Sequence, residues 1–274
     1  MPNHVTNRLT IIGTEEQISD VREKIKGEIE DQFIDFNKIA PIPEELKGTV
    51  SPMRIISQEE YDKQEARIAN NELTDHEKNW GVSRSLTQEL VDEYIEKFGH
   101  CEWYGWQTNN WGTKWNAYDQ HEVNEDCIEF NTAWSTPFDL MVSLSKLFPD
   151  VTFKVEYADE DLGYNVGNYT LLNGEEVEEN VPEGGSIEAL EMAIDIKGDE
   201  EYCLKHYLIE DVEDDIADYE NKLIQIAHKR GILEEEYPTI VLERLKELAL
   251  SDEQFERVIK IDEYLSKKEL KSED

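Results

Sequence analysis

Cations are scarce in this chain. Twenty-seven Lys and Arg stand against 64 Asp and Glu, a formal net charge of -37 and a sequence pI near 4.4. That balance excludes a diffuse basic surface, the usual source of non-specific nucleic-acid affinity. It repels anionic membranes as well, and it steers the chain toward basic surfaces on other proteins. Cysteine is nearly absent: Cys101, Cys127 and Cys203 are odd in number, widely spaced and form no C-x-x-C pair. This pattern disfavours a disulfide framework and a cysteine zinc site, and reduced structural thiols are expected. No apolar run approaches the roughly 18 residues of a membrane span. The opening MPNHVTNRLT has neither a basic nor an apolar leader segment. A cytoplasmic protein with no membrane partner is expected.

Motifs of known chemistry are missing too. The six histidines show no H-x-x-x-H or H-E-x-x-H spacing, and G-x-S-x-G, Walker and G-x-G-x-x-G patterns do not occur. Asp119 with His121 is a weak pair on a strand face. Asp159, Glu160 and Asp161 are consecutive, without the alternating ligands of a calcium loop, and read as a solvated turn. No nucleophile with its base is identified, so no catalytic residue, cofactor or metal is expected, and enzymatic activity is disfavoured without being excluded.

Apolar periodicity supplies a fold. HVTNRLTIIG (4–13) alternates as a strand, Thr14 starts a helix carrying Ile18, Val21 and Ile25, and FIDFNKI (33–39) reads as a second strand ended by Pro41 and Pro43. A polar helical insertion follows over about 44–100. Residues 126–134 then read as a strand, a helix capped at Thr136-Pro137 carries Leu140, Leu144 and Leu147, and 151–157 is another strand. This is an α+β class in the ferredoxin-like, split β-α-β order, an antiparallel sheet with a helical insertion between its second and third strands. GYNVGNYTLL (163–172) reads as a hairpin extending the sheet, 175–185 as an acidic linker, and 186–274 as an acidic α-helical C-terminal region. Two domains are expected, 1–172 and 186–274.

The segments MPNHVTNRLTI, DFNKIAPIPEEL, NNWGTKWNAYD, FNTAWSTPFDLMVSLSKLFPD and Gly163 to Tyr169 together resemble the YubB-like family of plasmid and phage proteins. The resemblance covers about residues 1–172 and implies a ferredoxin-like domain and a mobile-element origin. It implies no biochemical activity. His4 departs from the family pattern.

Two features could carry function. CEWYGWQTNNWGTKWNAY (101–118) gathers four of the six tryptophans around Lys114, the sole Lys or Arg between Lys97 and Lys146. Trp103, Trp106, Trp111 and Trp115, with Lys114, Asn110 and Asn116, are candidates for a ligand or partner site, the ammonium making cation–π contacts or binding an anion. The competing reading is a secondary core beneath the insertion, with Lys114 paired to an acid such as Glu102 or Asp119. Aromatics on a ferredoxin-like sheet can stack RNA bases. Phe130 and Trp134 lie on the strand in question, but Glu122, Glu125, Asp126 and Glu129 beside them disfavour RNA.

The second feature is the helical run Glu210, Asp211, Glu213, Asp214, Asp215 and Asp218. Its ordinary explanation is a solvated face. The sharper one is nucleic-acid mimicry, since duplex DNA carries one charge per about 1.7 Å and 37 charges match roughly 60 Å of it. The function expected is a non-enzymatic phage or mobile-element accessory protein. It would bind and inhibit a host protein with a basic surface, a nucleic-acid-handling defence factor. The alternative is a small-ligand or nucleotide-binding module centred on NNWGTKWN.

Overall fold

The first strand, β1 (His4–Ile12), keeps the alternation of its sequence: Val5, Asn7, Leu9 and Ile11 are buried while the residues between them are not. Described here over residues 3–198, the computed structural model continues with α1 (Glu15–Ile25), α2 (Gln58–Ala69), α3 (Asp75–Trp80), α4 (Gln88–Phe98) and α5 (Trp103–Asn110). Then come β2 (Tyr118–Asn124), β3 (Cys127–Ala133), α6 (Phe138–Leu147), β4 (Thr152–Asp159), β5 (Val166–Leu172), β6 (Glu175–Asn180) and α7 (Ile187–Lys197). The strands form one sheet in the order β2-β3-β1-β4-β5-β6. Both β1 and β2 pair antiparallel with β3, so they run the same way with β3 between them. With β4 on the other side of β1, the first four strands have the ferredoxin-like order, and the fold is α+β.

The second strand of that unit is not the one the apolar pattern indicates. Residues 33–39 form no strand; they end in a 3-10 turn at Phe36–Lys38 capped by Asp35, whose carboxylate accepts from the Asn37 N–H at 3.0 Å. The alternation still reports burial, for Ile34 and Phe36 are fully buried. Side chains take the place of a strand ladder. Gln120 accepts from Ile34 N at 2.8 Å and donates to Ile34 O at 2.9 Å, and Asn116 Oδ1 accepts from Phe36 N at 2.9 Å. The true second strand, β2, is an edge strand that is exposed over most of its length and so carries no hydrophobic alternation. The excursion from the ferredoxin-like unit therefore lies between α1 and β2, ahead of the sheet's second strand.

The same physics hid β6. Residues 175–180, expected as part of a linker, form a strand with every residue exposed, and it follows β5 through a turn in which Asn173 (φ 52°) and Gly174 (φ 78°) both take left-handed conformations. The Glu-rich edge strand β6 is a soluble end for a sheet, since like charge opposes edge-to-edge pairing. Helix α6 starts at Pro137 with no side-chain cap, so Thr136 does not cap it. The cap expected at Thr14 does form, in a reciprocal capping box with Gln17, and Ser186 caps α7 by accepting from Ala189 N.

The described residues divide into two compact units, 3–155 with 169–178, and 156–168 with 179–198. The second unit has its own cluster, in which Ala189, Leu190, Ala193, Ile194 and Ile196 of α7 bury against Ala158, Leu162 and Val166. Asp159 is buried there and closes the following loop, accepting from Asp161 N at 3.0 Å and from Asn165 Nδ2 at 2.7 Å. In the first unit α2 and α3 are joined by a fork of Arg67 onto Glu77 at 2.7 and 2.5 Å. No helix among the described residues is long and apolar enough to cross a membrane.

The Arg67 fork, with the Thr74 backbone and hydroxyl, holds the Glu77 carboxyl down to about 2 from an ordinary 4.5. A depressed acid stabilises the fold above its unfolded value and loses that contribution as pH falls through the folded one. Glu77→Gln should lower the thermal midpoint at pH 6, and the gap from wild type should close as pH falls from 4.5 toward 2; melts at stepped pH check this.

Candidate functional site

The tryptophan segment separates into a buried half and a displayed half. Glu102 caps α5 by accepting from Tyr104 N and Gly105 N, both at 2.7 Å, and Trp103 N donates to Thr49 Oγ1 at 3.0 Å. Anchored in this way, α5 lies against α6 and sends Trp106 inward. Trp111 is 1% exposed, donates from its indole to Ala40 O at 2.8 Å, and sits edge-on to Trp106 and Phe36, which in turn meets Phe130 of β3. Trp106 and Trp111 thus build the core that joins the long excursion to the sheet. Asn110 caps the end of its own helix through Trp106 O at 2.8 Å. Asn116 clamps Asp35 at 2.7 Å together with the Phe36 N–H. Neither asparagine serves Lys114.

The displayed half begins at Gly112, whose φ of 76° is a left-handed turn that glycine adopts without strain. Beyond it Thr113 is buried and its hydroxyl docks on the end of β3, donating to Ala133 O at 2.7 Å and accepting from Ala133 N at 3.2 Å. Ser135 Oγ donates to Gly112 O at 2.5 Å. These three bonds set residues 112–115 beside the strand's exit and bring Trp134 next to Lys114 and Trp115. The Lys114 ammonium lies 4.8 Å from the Trp115 ring centroid and 4.9 Å from that of Trp134. Both indoles are exposed, at 38% and 43%. Each ring is braced edge-on by a tyrosine, Trp134 by Tyr104 at 6.2 Å and Trp115 by Tyr118 at 6.3 Å. Tyr118 is itself held by Thr132 O at 3.1 Å and His4 Nδ1 at 2.6 Å.

Trp134 has φ 72°, a conformation that costs a bulky side chain of order 1–3 kcal/mol and concentrates at functional positions. Among the described residues Lys114 makes no salt bridge: Glu102 is spent on the helix cap, and Asp119 does not pair with it. Three residues of this group are not among the candidates the sequence offers: Trp134, Tyr104 and Tyr118. Trp134 stands 19 positions from Trp115, and no spacing rule could link them.

The other candidates have structural roles or lie elsewhere. Phe130 is fully buried and offers no stacking face. His121 approaches Glu129 at 3.4 Å, and no group of three or more metal-ligating side chains occurs among the described residues. Burial pushes the Cys101 and Cys127 thiols up, which makes them poor nucleophiles at neutral pH. The acidic run Glu210, Asp211, Glu213, Asp214, Asp215 and Asp218 lies outside the described residues.

Residues 110–198 match the family model described as the ferredoxin-like domain in Api92-like protein. The matched stretch runs from the end of α5 to the end of α7 and includes Lys114, Trp115 and Trp134. Among solved structures, a crystal structure of the protein Api92 from Yersinia pseudotuberculosis is similar at 12% identity and a TM-score of 0.34, over 68% of this chain and 99% of that one. No curated protein matches. The match supports the ferredoxin-like domain that the YubB-like resemblance implied; the YubB-like assignment itself is no part of it.

Chemical denaturation should separate the two halves of the segment. Trp111→Ala should cost about 3–5 kcal/mol, as large core truncations do. Trp115→Ala should cost under about 1 kcal/mol. Trp134→Gly should also stay within about 1 kcal/mol, because relief of the left-handed backbone offsets the lost ring contacts.

Proposed function

We propose that this chain is a non-enzymatic accessory protein of a plasmid or phage, as the YubB-like resemblance implies, and that it acts in the host cytoplasm. It binds a host protein that handles nucleic acid in defence and inhibits it by occupying the basic face of that protein in place of DNA. The observation that carries this reading is the uncompensated carboxylate of the chain, -37 in net charge.

The described structure supports it in two ways. Many of its cations are already engaged internally, in pairs such as Arg8–Glu129, Lys38–Glu28, Arg67–Glu77 and Lys97–Glu45, which leaves the remaining acids to set the outer potential. One edge of the sheet, β6, reads EEVEEN with all six residues exposed. A basic groove meeting such a surface gains mainly in association rate and in discrimination against acidic partners. Aromatic anchors then supply the contact that charge alone cannot.

The test is capture from host lysate by the immobilised full-length chain, followed by purification of what is bound. Capture of a basic, nucleic-acid-binding protein is expected. It should fall steeply as NaCl rises from about 0.1 to 0.5 M, where screening shortens from roughly 10 Å toward the size of a side chain, and duplex DNA should displace it. Retention indifferent to salt and to DNA, or recovery of acidic proteins alone, would overturn the reading.

A further inference from the structure

The indoles of Trp115 and Trp134 both face one point, and that point is occupied by an ammonium. We infer that these two rings are a clamp for a single cationic side chain, an arginine or lysine of the protein partner, and that Lys114 fills the clamp in the unbound chain. The inference rests on the proposed basic partner and names the chemistry by which it is gripped.

Three observations lead there. The first is the position of Lys114 itself, which shows that a cation fits: cation–π attraction extends to about 6 Å from a ring centroid, and both rings fall well inside it at 4.8 and 4.9 Å. The second is what holds Lys114. It lies against the two rings, and among the described residues no carboxylate pairs with it, in a chain with 64 acids. A four-carbon tether held by ring contacts alone swings aside at the loss of those contacts, and an incoming guanidinium restores them. Arginine suits the exchange, being planar and more weakly hydrated than an ammonium.

The third observation is that the rings are set before any guest arrives. Tyr104 and Tyr118 brace them edge-on, the Thr113 and Ser135 bonds fix the backbone beneath them, and Trp134 keeps a left-handed conformation that displays its ring. Preorganisation of this kind lowers the ordering cost of binding. Charge then chooses the sign of the guest, since the potential around a chain of net charge -37 attracts cations and opposes anions.

The peptide acetyl-Gly-Arg-Gly-amide is the probe, titrated at constant ionic strength into the full chain with the indole N–H resonances of Trp115 and Trp134 as the readout. Lys114 competes for the clamp, so Lys114→Met should tighten peptide binding by about two- to five-fold, the worth of one exposed cation–π contact. Trp134→Gly and Trp115→Leu, each confirmed as folded by its melt, should abolish the response, and the citrulline peptide, neutral and of the same shape, should give none. Weaker or unchanged binding in Lys114→Met overturns the proposal, as does binding that survives loss of either ring. Inorganic phosphate shifting both indoles in wild type, with the shift lost in Lys114→Met, would assign the site to anions instead. The peptide result and lysate capture fail separately: a working clamp without a basic partner sinks only the function, and a basic partner without a peptide response sinks only the clamp.

Discussion

A single joint holds the tryptophan segment of this protein in place: the docking of Gly112 and Thr113 on the end of β3. Thr113 exchanges two hydrogen bonds with Ala133 as a strand neighbour would, and Ser135 closes the turn onto Gly112. Upstream of this joint Trp106 and Trp111 are drawn into the core against Phe36 and Phe130. Downstream of it Lys114 and Trp115 are left outside beside Trp134. One short segment therefore serves both readings of its tryptophans, core and surface, and its register decides which ring does which.

The second constraint is charge. An isolated sheet edge presents unpaired N–H and C=O groups, and this sheet ends in β2 and β6, both exposed and rich in acidic or polar residues. Repulsion between the glutamates of β6 opposes pairing of that edge with copies of the same chain, so the acidic surplus also solves a problem of the fold. Within the first unit several of the cations that could offset it are spent on local ties, as when Lys97 reaches Glu45 and Arg67 forks Glu77. The exterior keeps its sign.

How far the sequence was legible follows from where water lies. Buried alternation in β1 and β3 and the helical stripes of α1, α4 and α6 could be read directly, because the hydrophobic effect writes a period into residues that face a core. Where both faces meet solvent no period is written, and so β2 and β6 were missed. The segment at 33–39 carried the period of burial without being a strand, because Gln120 and Asn116 satisfy its backbone from their side chains. Of the candidate site residues, Lys114 and Trp115 were visible as an isolated cation beside an indole, whereas Asn110 and Asn116 tie the backbone.

By itself, then, the sequence determined the class of fold, the β1–α1 opening before the excursion and the β3–α6–β4 unit after it, the sign of the net charge and the absence of known catalytic spacing, for these depend on composition and on local period. Only the tertiary structure decided which tryptophans are core, that Trp134 joins Lys114 and Trp115, and that 33–39 packs without pairing. Those outcomes depend on contacts between residues far apart along the chain, made by side chains bonding to distant backbone, and no local pattern records them.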